Sequence, residues 1–122
     1  RDPYSGEQRF HDGVDIAAKT GTAIRPFRAG VVSFAGWKSG YGQAVVVKHA
    51  DGLESIYAHN ASNAVKVGDT VEADTVLGRV GSTGRSTGPH LHFEIRRHGR
   101  AVDPLPYLKA EEPVRLAHNH EH

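Results

Sequence analysis

His11-Asp12-Gly13-Val14-Asp15, Tyr57-Ala58-His59 and His90-Leu91-His92-Phe93-Glu94 carry the side chains of this chain best suited to metal ligation or proton transfer. Imidazole changes charge near neutral pH and is the commonest metal ligand. His11 and Asp15 stand four residues apart, so an extended segment puts both on one face. A helix would align them too, but Gly13, Val14 and Ile16 disfavour one. In a strand, His90, His92 and Glu94 share one face while Leu91 and Phe93 share the other. That pattern fits a half-buried strand with its imidazoles on the open side. Two imidazoles and a carboxylate are a standard donor set for a catalytic zinc, which keeps a further position open for water. Taken singly, each segment has a plainer reading: two exposed histidines on a strand, or a surface histidine beside a loop aspartate. Glu94 is placed to orient a ligand ring from outside the ligand set, and equally to form a salt bridge with an arginine.

These side chains need a scaffold, and length sets its size. The chain has 122 residues, one domain at about 100–200 residues per domain. It has no Cys, which excludes a disulfide framework, a thiolate zinc site, an iron–sulfur cluster and a Cys nucleophile. Fifteen Lys and Arg against 14 Asp and Glu leave a net charge of +1, unlike a strongly basic nucleic-acid binder. No run approaches the roughly 18 apolar residues of a membrane span. The chain begins at Arg1 and has no Met, as expected of a processed product or an excised domain, which leaves room for a signal peptide or anchor before residue 1.

The pattern is all-β. Fourteen Gly punctuate short runs rich in Val and Ile. Strands are expected at Val14–Ala17, Gly30–Ala35, Gln43–His49, Glu54–His59, Thr75–Val80 and His90–Arg97. The unbroken apolar run Ala44-Val45-Val46-Val47 predicts a strand buried on both faces. Asp51-Gly52 predicts a hairpin with a loop slightly longer than two residues. Strands of this spacing build a small antiparallel sheet, closed as a barrel or folded into packed layers. The domain is expected over residues 1–110. The apolar pattern stops at Glu111-Glu112-Pro113, so residues 111–122, rich in His, are expected to form a disordered tail.

Several motifs resemble one family. His11-Asp12-Gly13-Val14-Asp15 resembles the HxGxD signature of the lysostaphin/LytM-type zinc endopeptidases. The run from Gly81 to Glu94 resembles their second signature, ending in HxH, and Tyr57-Ala58-His59 resembles the YxH segment between the two. Gly40-Tyr41-Gly42, Val67-Gly68-Asp69 with Val71, and Val102-Asp103-Pro104 fall in the family's order. The resemblance covers roughly residues 1–108. It implies a small antiparallel β fold with a substrate groove. It implies Zn²⁺ as cofactor, with His11, Asp15 and His92 as ligands. It implies that His59 and His90 flank the metal and handle protons, one as base and the other as oxyanion support or proton donor. The implied substrate is the stem peptide of bacterial peptidoglycan. The bond is expected to be the D-Ala–diaminopimelate crosslink, with a Gly–Gly bridge as the alternative. The implied location is the cell envelope, periplasmic or extracellular, with room for a regulatory partner or domain outside this segment. The Ser- and Thr-rich loop from Gly81 to Gly88 is expected to offer hydrogen bonds to the substrate backbone.

Other readings compete. A catalytically dead relative that binds the cell wall and activates another hydrolase would typically have lost zinc ligands, and none is missing here. A biotinyl- or lipoyl-type carrier needs a modifiable Lys at a hairpin tip, but no Lys lies between Lys66 and Lys109. A phosphoryl carrier also pairs two His, though Asp15 argues for a metal. The loop from Gly81 to Gly88 lacks the ending of a phosphate cradle and leads into a strand. His49 and His98 are read as surface residues, and Trp37 and Tyr41 fit a core edge as well as a groove wall. Arg25-Pro26-Phe27-Arg28 replaces a more usual Ala-Pro stretch and bears on a groove edge, or on nothing.

Overall fold

The computed structural model describes residues 13–83 and 88–107. Nine strands make one branched antiparallel sheet: β1 (Val14–Ala17), β2 (Ala23–Ile24), β3 (Gly30–Lys38), β4 (Gly42–Lys48), β5 (Leu53–Asn63), β6 (Thr70–Val71), β7 (Gly78–Val80), β8 (His90–Arg97) and β9 (Arg100–Val102). The main path runs β1-β8-β5-β4-β3-β6, with β7 joined to β5 and β2, and β9 joined to β8. The all-β expectation holds, and β1 and β8 have the expected bounds. The expected tail lies outside the described residues.

The central strand is β4, flanked by β3 and β5. Ala44, Val45, Val46 and Val47 are all buried on it, as the unbroken apolar run requires. The hairpin to β5 turns through Asp51 and Gly52, both at left-handed φ, which Asx and Gly residues tolerate. Registers then sort the side chains. Val45, Tyr57 and Phe93 lie opposite one another across β4, β5 and β8, and all three belong to the core. Ile24, Val71, Leu77 and Val80 close the core from β6 and the β2–β7 arm. Burying a side chain of this size is worth about 1.5–3 kcal/mol, so the paired strands are held mainly by this shared face. Val46, Ile56 and Glu94 lie opposite one another on the other face.

β5 continues past its expected end at His59 to Asn63. It does so by changing partners: Leu53 to Ala58 pair with β8, and Asn60 to Asn63 pair with β7. The pairing with β4 slips at the same point, between Tyr57–Val45 and Asn60–Gln43. The expected strand Thr75–Val80 shortens to Gly78–Val80, because Glu72 and Thr75 close a turn through Thr75 N–H to Glu72 O (3.0 Å) and Glu72 N–H to Thr75 Oγ1 (2.9 Å).

Phe27 of the atypical Arg25–Arg28 stretch belongs to the core, edge-on to Phe93 (5.9 Å between ring centroids) and to His49 (4.9 Å). His49 is correspondingly not a plain surface residue. Its Nδ1–H donates to Ala29 O (2.8 Å), since a carbonyl can only accept. Phe27 N–H donates to Tyr57 Oη (3.0 Å), Tyr57 donates to Ser55 Oγ (2.8 Å), and Ser55 can then donate to His49 Nε2 (2.8 Å). This directional chain needs a neutral imidazole. Burial lowers the pKa of His49, outweighing the Ala29 carbonyl and Glu54, while Arg28 adds to the lowering. A histidine depressed on folding contributes stability that is full above its unfolded pKa of about 6.5 and is lost as pH falls through the folded value. Denaturant titrations in chelator, at about pH 7.5 and about pH 5, are expected to show a smaller acid-induced loss of stability for His49→Gln than for wild type. Parallel losses in the two proteins would contradict this account.

Candidate metal centre and its flanking histidines

The antiparallel register of β1 and β8 sets Asp15 directly opposite His92 and Ala17 opposite His90. Directly opposed residues share a face with Cβ atoms about 4.5–5.5 Å apart. Asp15 Oδ1 therefore stands 2.8 Å from His92 Nδ1 and 3.4 Å from His90 Nε2. Gly13 makes the approach possible. It adopts φ +109°, and a Cβ there would lie 2.3 Å from Phe93 O and 2.6 Å from Glu94 Cγ.

His59 joins from β5 at the slip described above. Its φ of +65° is left-handed, uncommon for a non-glycine residue. Such strain costs about 1–3 kcal/mol and persists where surrounding bonds hold it. Here they are His59 N–H to Tyr41 O (2.8 Å) and His59 Nδ1–H to Thr83 O (2.6 Å). The His59 ring then sits 5.1 Å from that of His90 and 5.8 Å from that of His92. Thr83 is pinned in turn: its Oγ1 accepts from Gln43 N–H (3.1 Å) and donates to Asn60 O (2.7 Å). The expectation that this loop offers its groups to a substrate does not hold for Thr83, whose hydroxyl is committed within the fold. Residues 84–87 lie outside the described residues.

Three imidazoles thus commit one nitrogen each to a fixed acceptor: His59 to Thr83 O, His90 Nδ1 to Gly88 O (2.9 Å), and His92 Nε2 to Glu94 Oε2 (2.8 Å). Glu94 is 2% exposed, so the outward face of β8 is closed at this position, against the open face expected. It meets both roles weighed from sequence, because Arg96 Nη2 (2.9 Å) and Nε (3.2 Å) also donate to its Oε1. Tyr41, from the β3–β4 turn, donates its hydroxyl to Glu94 Oε2 (2.8 Å) and stacks along the His92 ring (6.0 Å, 26°). The sequence reading did not single out Tyr41 as part of this centre. Its signals were its place between Gly40 and Gly42 and a reading divided between core edge and groove wall. Trp37 is exposed.

Electrostatics follow the geometry. Burial alone would lower His92, but its bonds to Glu94 and Asp15 outweigh burial and raise its pKa. Burial alone would raise Glu94, but the bonds from His92, Arg96 and Tyr41 hold it below the usual carboxylate range. Tyr41 is pushed up to about 12 by burial and by Glu94. Burial lowers His59, keeping it neutral near pH 7, against the smaller opposing effect of its Thr83 bond.

With Nε2–H given to Glu94, a neutral His92 presents a lone pair at Nδ1 to a carboxylate oxygen 2.8 Å away. Two acceptors at that distance call for a cation between them, either a proton or a metal. One nitrogen and one carboxylate oxygen, with a carboxylate behind the imidazole, match a divalent zinc site and its outer support. His11, the third expected ligand, lies outside the described residues. Among the described residues, no group of three ligating side chains closes on one point.

The model of Peptidase family M23 matches residues 9–104. The chain belongs to Peptidase family M23. The M23 chain is 50% identical over 97 residues to the DD-carboxypeptidase/endopeptidase Mpg of Neisseria meningitidis serogroup B, covering 80% of this chain and 22% of the relative. It is 45% identical over 103 residues to the murein hydrolase activator EnvC of Escherichia coli, covering 84% and 24%. It therefore spans less than a quarter of the length of these relatives. The catalytic domain of the antimicrobial peptidase lysostaphin from Staphylococcus simulans superposes with a TM-score of 0.76 at 39% identity, covering 81% of this chain and 79% of that one. The antiparallel fold expected from the resemblance is the M23 fold.

Gly13 gives this arrangement a direct test. Gly13→Ala is expected to cost roughly 1–3 kcal/mol from its φ alone, plus the displacement of Phe93 O and Glu94 Cγ. Gly21, at φ +93° with nothing within 4 Å of a built Cβ, is the control. Denaturation midpoints should fall further for Gly13→Ala than for Gly21→Ala, and equal shifts would contradict the close approach.

Proposed function

We propose that this M23 domain is a zinc-dependent endopeptidase of bacterial peptidoglycan, acting at the cell envelope in the periplasm or outside the cell. His11, Asp15 and His92 hold the metal in this reading, and His59 and His90 handle protons. The observation that carries it is the approach of His90 and His92 to Asp15 with the His59 ring beside both, each imidazole having committed one nitrogen to a fixed acceptor.

When bound, zinc activates a water near neutral pH and polarises the scissile carbonyl. The remaining work falls to the chain. Asp15 and His92 supply a carboxylate oxygen and Nδ1. His59 donates Nδ1–H to Thr83 O, so a neutral ring keeps its Nε2 lone pair for accepting a proton. His90, anchored through Nδ1–H to Gly88 O, turns Nε2 toward Asp15 and can donate a proton to an oxyanion or to a leaving amine once it is charged. Burial keeps His59 neutral, which favours it as the base.

The proposed bond is the D-Ala–diaminopimelate crosslink. The likeness to Mpg, named for carboxypeptidase and endopeptidase action on DD substrates, supports it. A Gly–Gly bridge stays as the alternative bond. A second reading, a non-hydrolytic regulator, draws on the likeness to EnvC, named as an activator. The intact set of Asp15, His59, His90 and His92 speaks against it.

Digestion of purified diaminopimelate-type peptidoglycan, followed by mass spectrometry, is expected to lose crosslinked dimers only without chelator. His59→Ala and His90→Ala should retain zinc and lose about 10²–10⁴-fold in rate, whereas His11→Ala and His92→Ala should lose stoichiometric zinc. Bound zinc without cleavage of this substrate, followed by cleavage of a pentaglycine bridge, would move the reading to the Gly–Gly bond. Bound zinc with neither cleavage would leave the regulator.

A further inference from the structure

We propose that Tyr41 and Arg96 are positioning residues for His92, acting through Glu94 to determine which ring nitrogen of His92 is left to ligate. The inference rests on the reading of His92 as a metal ligand.

An imidazole offers either nitrogen to a metal, and the bond made by the other decides which. Glu94 makes that choice only if its carboxylate is itself fixed. Two elements fix it. From β8, Arg96 sends Nε and Nη2 to the single oxygen Oε1 (3.2 and 2.9 Å), which anchors that oxygen with a charge-assisted pair of bonds. From the β3–β4 turn, Tyr41 donates to the other oxygen, Oε2 (2.8 Å), beside His92 Nε2 (2.8 Å). Arg96 Nη2 also donates to Tyr41 Oη (3.3 Å), which closes the three side chains into a ring of hydrogen bonds. Tyr41 holds the imidazole a second way, stacked along it at 6.0 Å. Its backbone carbonyl meanwhile takes the His59 N–H. One turn residue thus orients the metal-side histidine with its side chain and a flanking histidine with its backbone.

The fold does not call for a charge at Glu94. Ile56 lies opposite it on β5, and Val46 opposite Ile56 on β4. An apolar residue there would avoid desolvating a carboxylate, and replacing a buried ion pair with apolar side chains is often neutral or stabilising. The carboxylate, its arginine and its tyrosine have one shared product, a fixed His92 ring with Nδ1 turned to Asp15.

The test compares zinc affinity, by competition with a chromogenic chelator, for wild type, Tyr41→Phe and Glu94→Gln, alongside the thermal stability of each metal-free protein. Removing such outer support typically costs 10–100-fold in metal affinity. That loss is expected for Glu94→Gln, and a smaller loss, about 3–10-fold, for Tyr41→Phe, which keeps the stacked ring. In ¹⁵N NMR of the zinc-loaded proteins, the His92 signals of wild type should report metal at Nδ1 and hydrogen at Nε2, with the Nε2–H signal shifted or broadened in both variants. A merely structural role would lower thermal stability and leave affinity and the His92 signals unchanged, and that result overturns the proposal. If Glu94→Gln does not fold, Tyr41→Phe decides alone on the same two readouts. A wild-type chain that does not bind zinc overturns this inference and the ligand reading together. Zinc binding weakened as expected in the variants, with peptidoglycan left intact by wild type, supports this inference and removes only the hydrolase reading.

Discussion

Backbone pairing at the middle of β5 is the constraint on which the rest of the site depends. Every buried N–H and C=O must find a partner, and β5 is too long to satisfy all of its groups on one neighbour. It pairs with β8 as far as Ala58 and with β7 from Asn60. His59 falls between the two and cannot stay in the regular ladder. Its N–H goes to Tyr41 O, and its φ turns positive. That break lets a strand residue swing its ring over the neighbouring strand, to within 5.8 Å of His92. β8 and β7 pair with successive stretches of β5 and meet at the same point. The segment joining them begins beside His59 with Thr83 and returns at His90, whose N–H bonds Gly81 O (3.3 Å). One change of partner therefore supplies a flanking histidine and the anchor of a loop.

The charge pattern obeys the same economy. A buried carboxylate costs several kcal/mol unless hydrogen bonds and an opposite charge compensate it. Glu94 has donors from three side chains, and its pKa is lowered despite burial, so compensation outweighs burial. Asp15 is the more exposed carboxylate, with 39% of its side chain accessible. The two differ in task. Glu94 is saturated and holds a ring still, while Asp15 faces outward from the strand with His92 Nδ1 and His90 Nε2 beside it. The raised pKa of His92 expresses the same demand for positive charge between Asp15 and His92.

Much of this was legible in residue order. Alternation in His90–Glu94 fixes which side chains share a face of β8, and the structure keeps that division, with Phe93 in the core and His92 and Glu94 opposite it. The even spacing of His11 and Asp15 predicted an extended segment, and Asp15 does stand in a strand. The strands that went unread are β2, β6 and β9, of two or three residues each, too short for any periodicity to register. The reach of β5 beyond His59 was equally invisible, because a change of pairing partner leaves no mark in the hydropathy of one strand. Tyr41 and Arg96 were missed for a related reason. Tyr41 lies 53 residues from Glu94 in sequence, and only the folded turn brings its hydroxyl to that carboxylate. His49 was misread because its partners, Ala29 and Ser55, come from other parts of the sheet.

The spread of names among the relatives also has a physical meaning. A likeness of 45% to a protein named as an activator and of 50% to one named as an enzyme shows one scaffold carrying both names. Fold likeness is therefore weak evidence on chemistry, which sits in a handful of side chains grafted on the scaffold. In this chain those side chains are costly to keep. His59 holds a strained backbone, Glu94 a desolvated charge, and Gly13 an unfavourable entropy loss on folding. The left-handed backbone at 59 and the glycine at 13 are demanded by the strand pairing itself, but position 94 is not: with Ile56 and Val46 in line across the sheet, packing alone would favour an apolar residue there. A carboxylate that packing does not require, spent on holding the His92 ring, is a feature of this site over and above the scaffold it shares with its relatives.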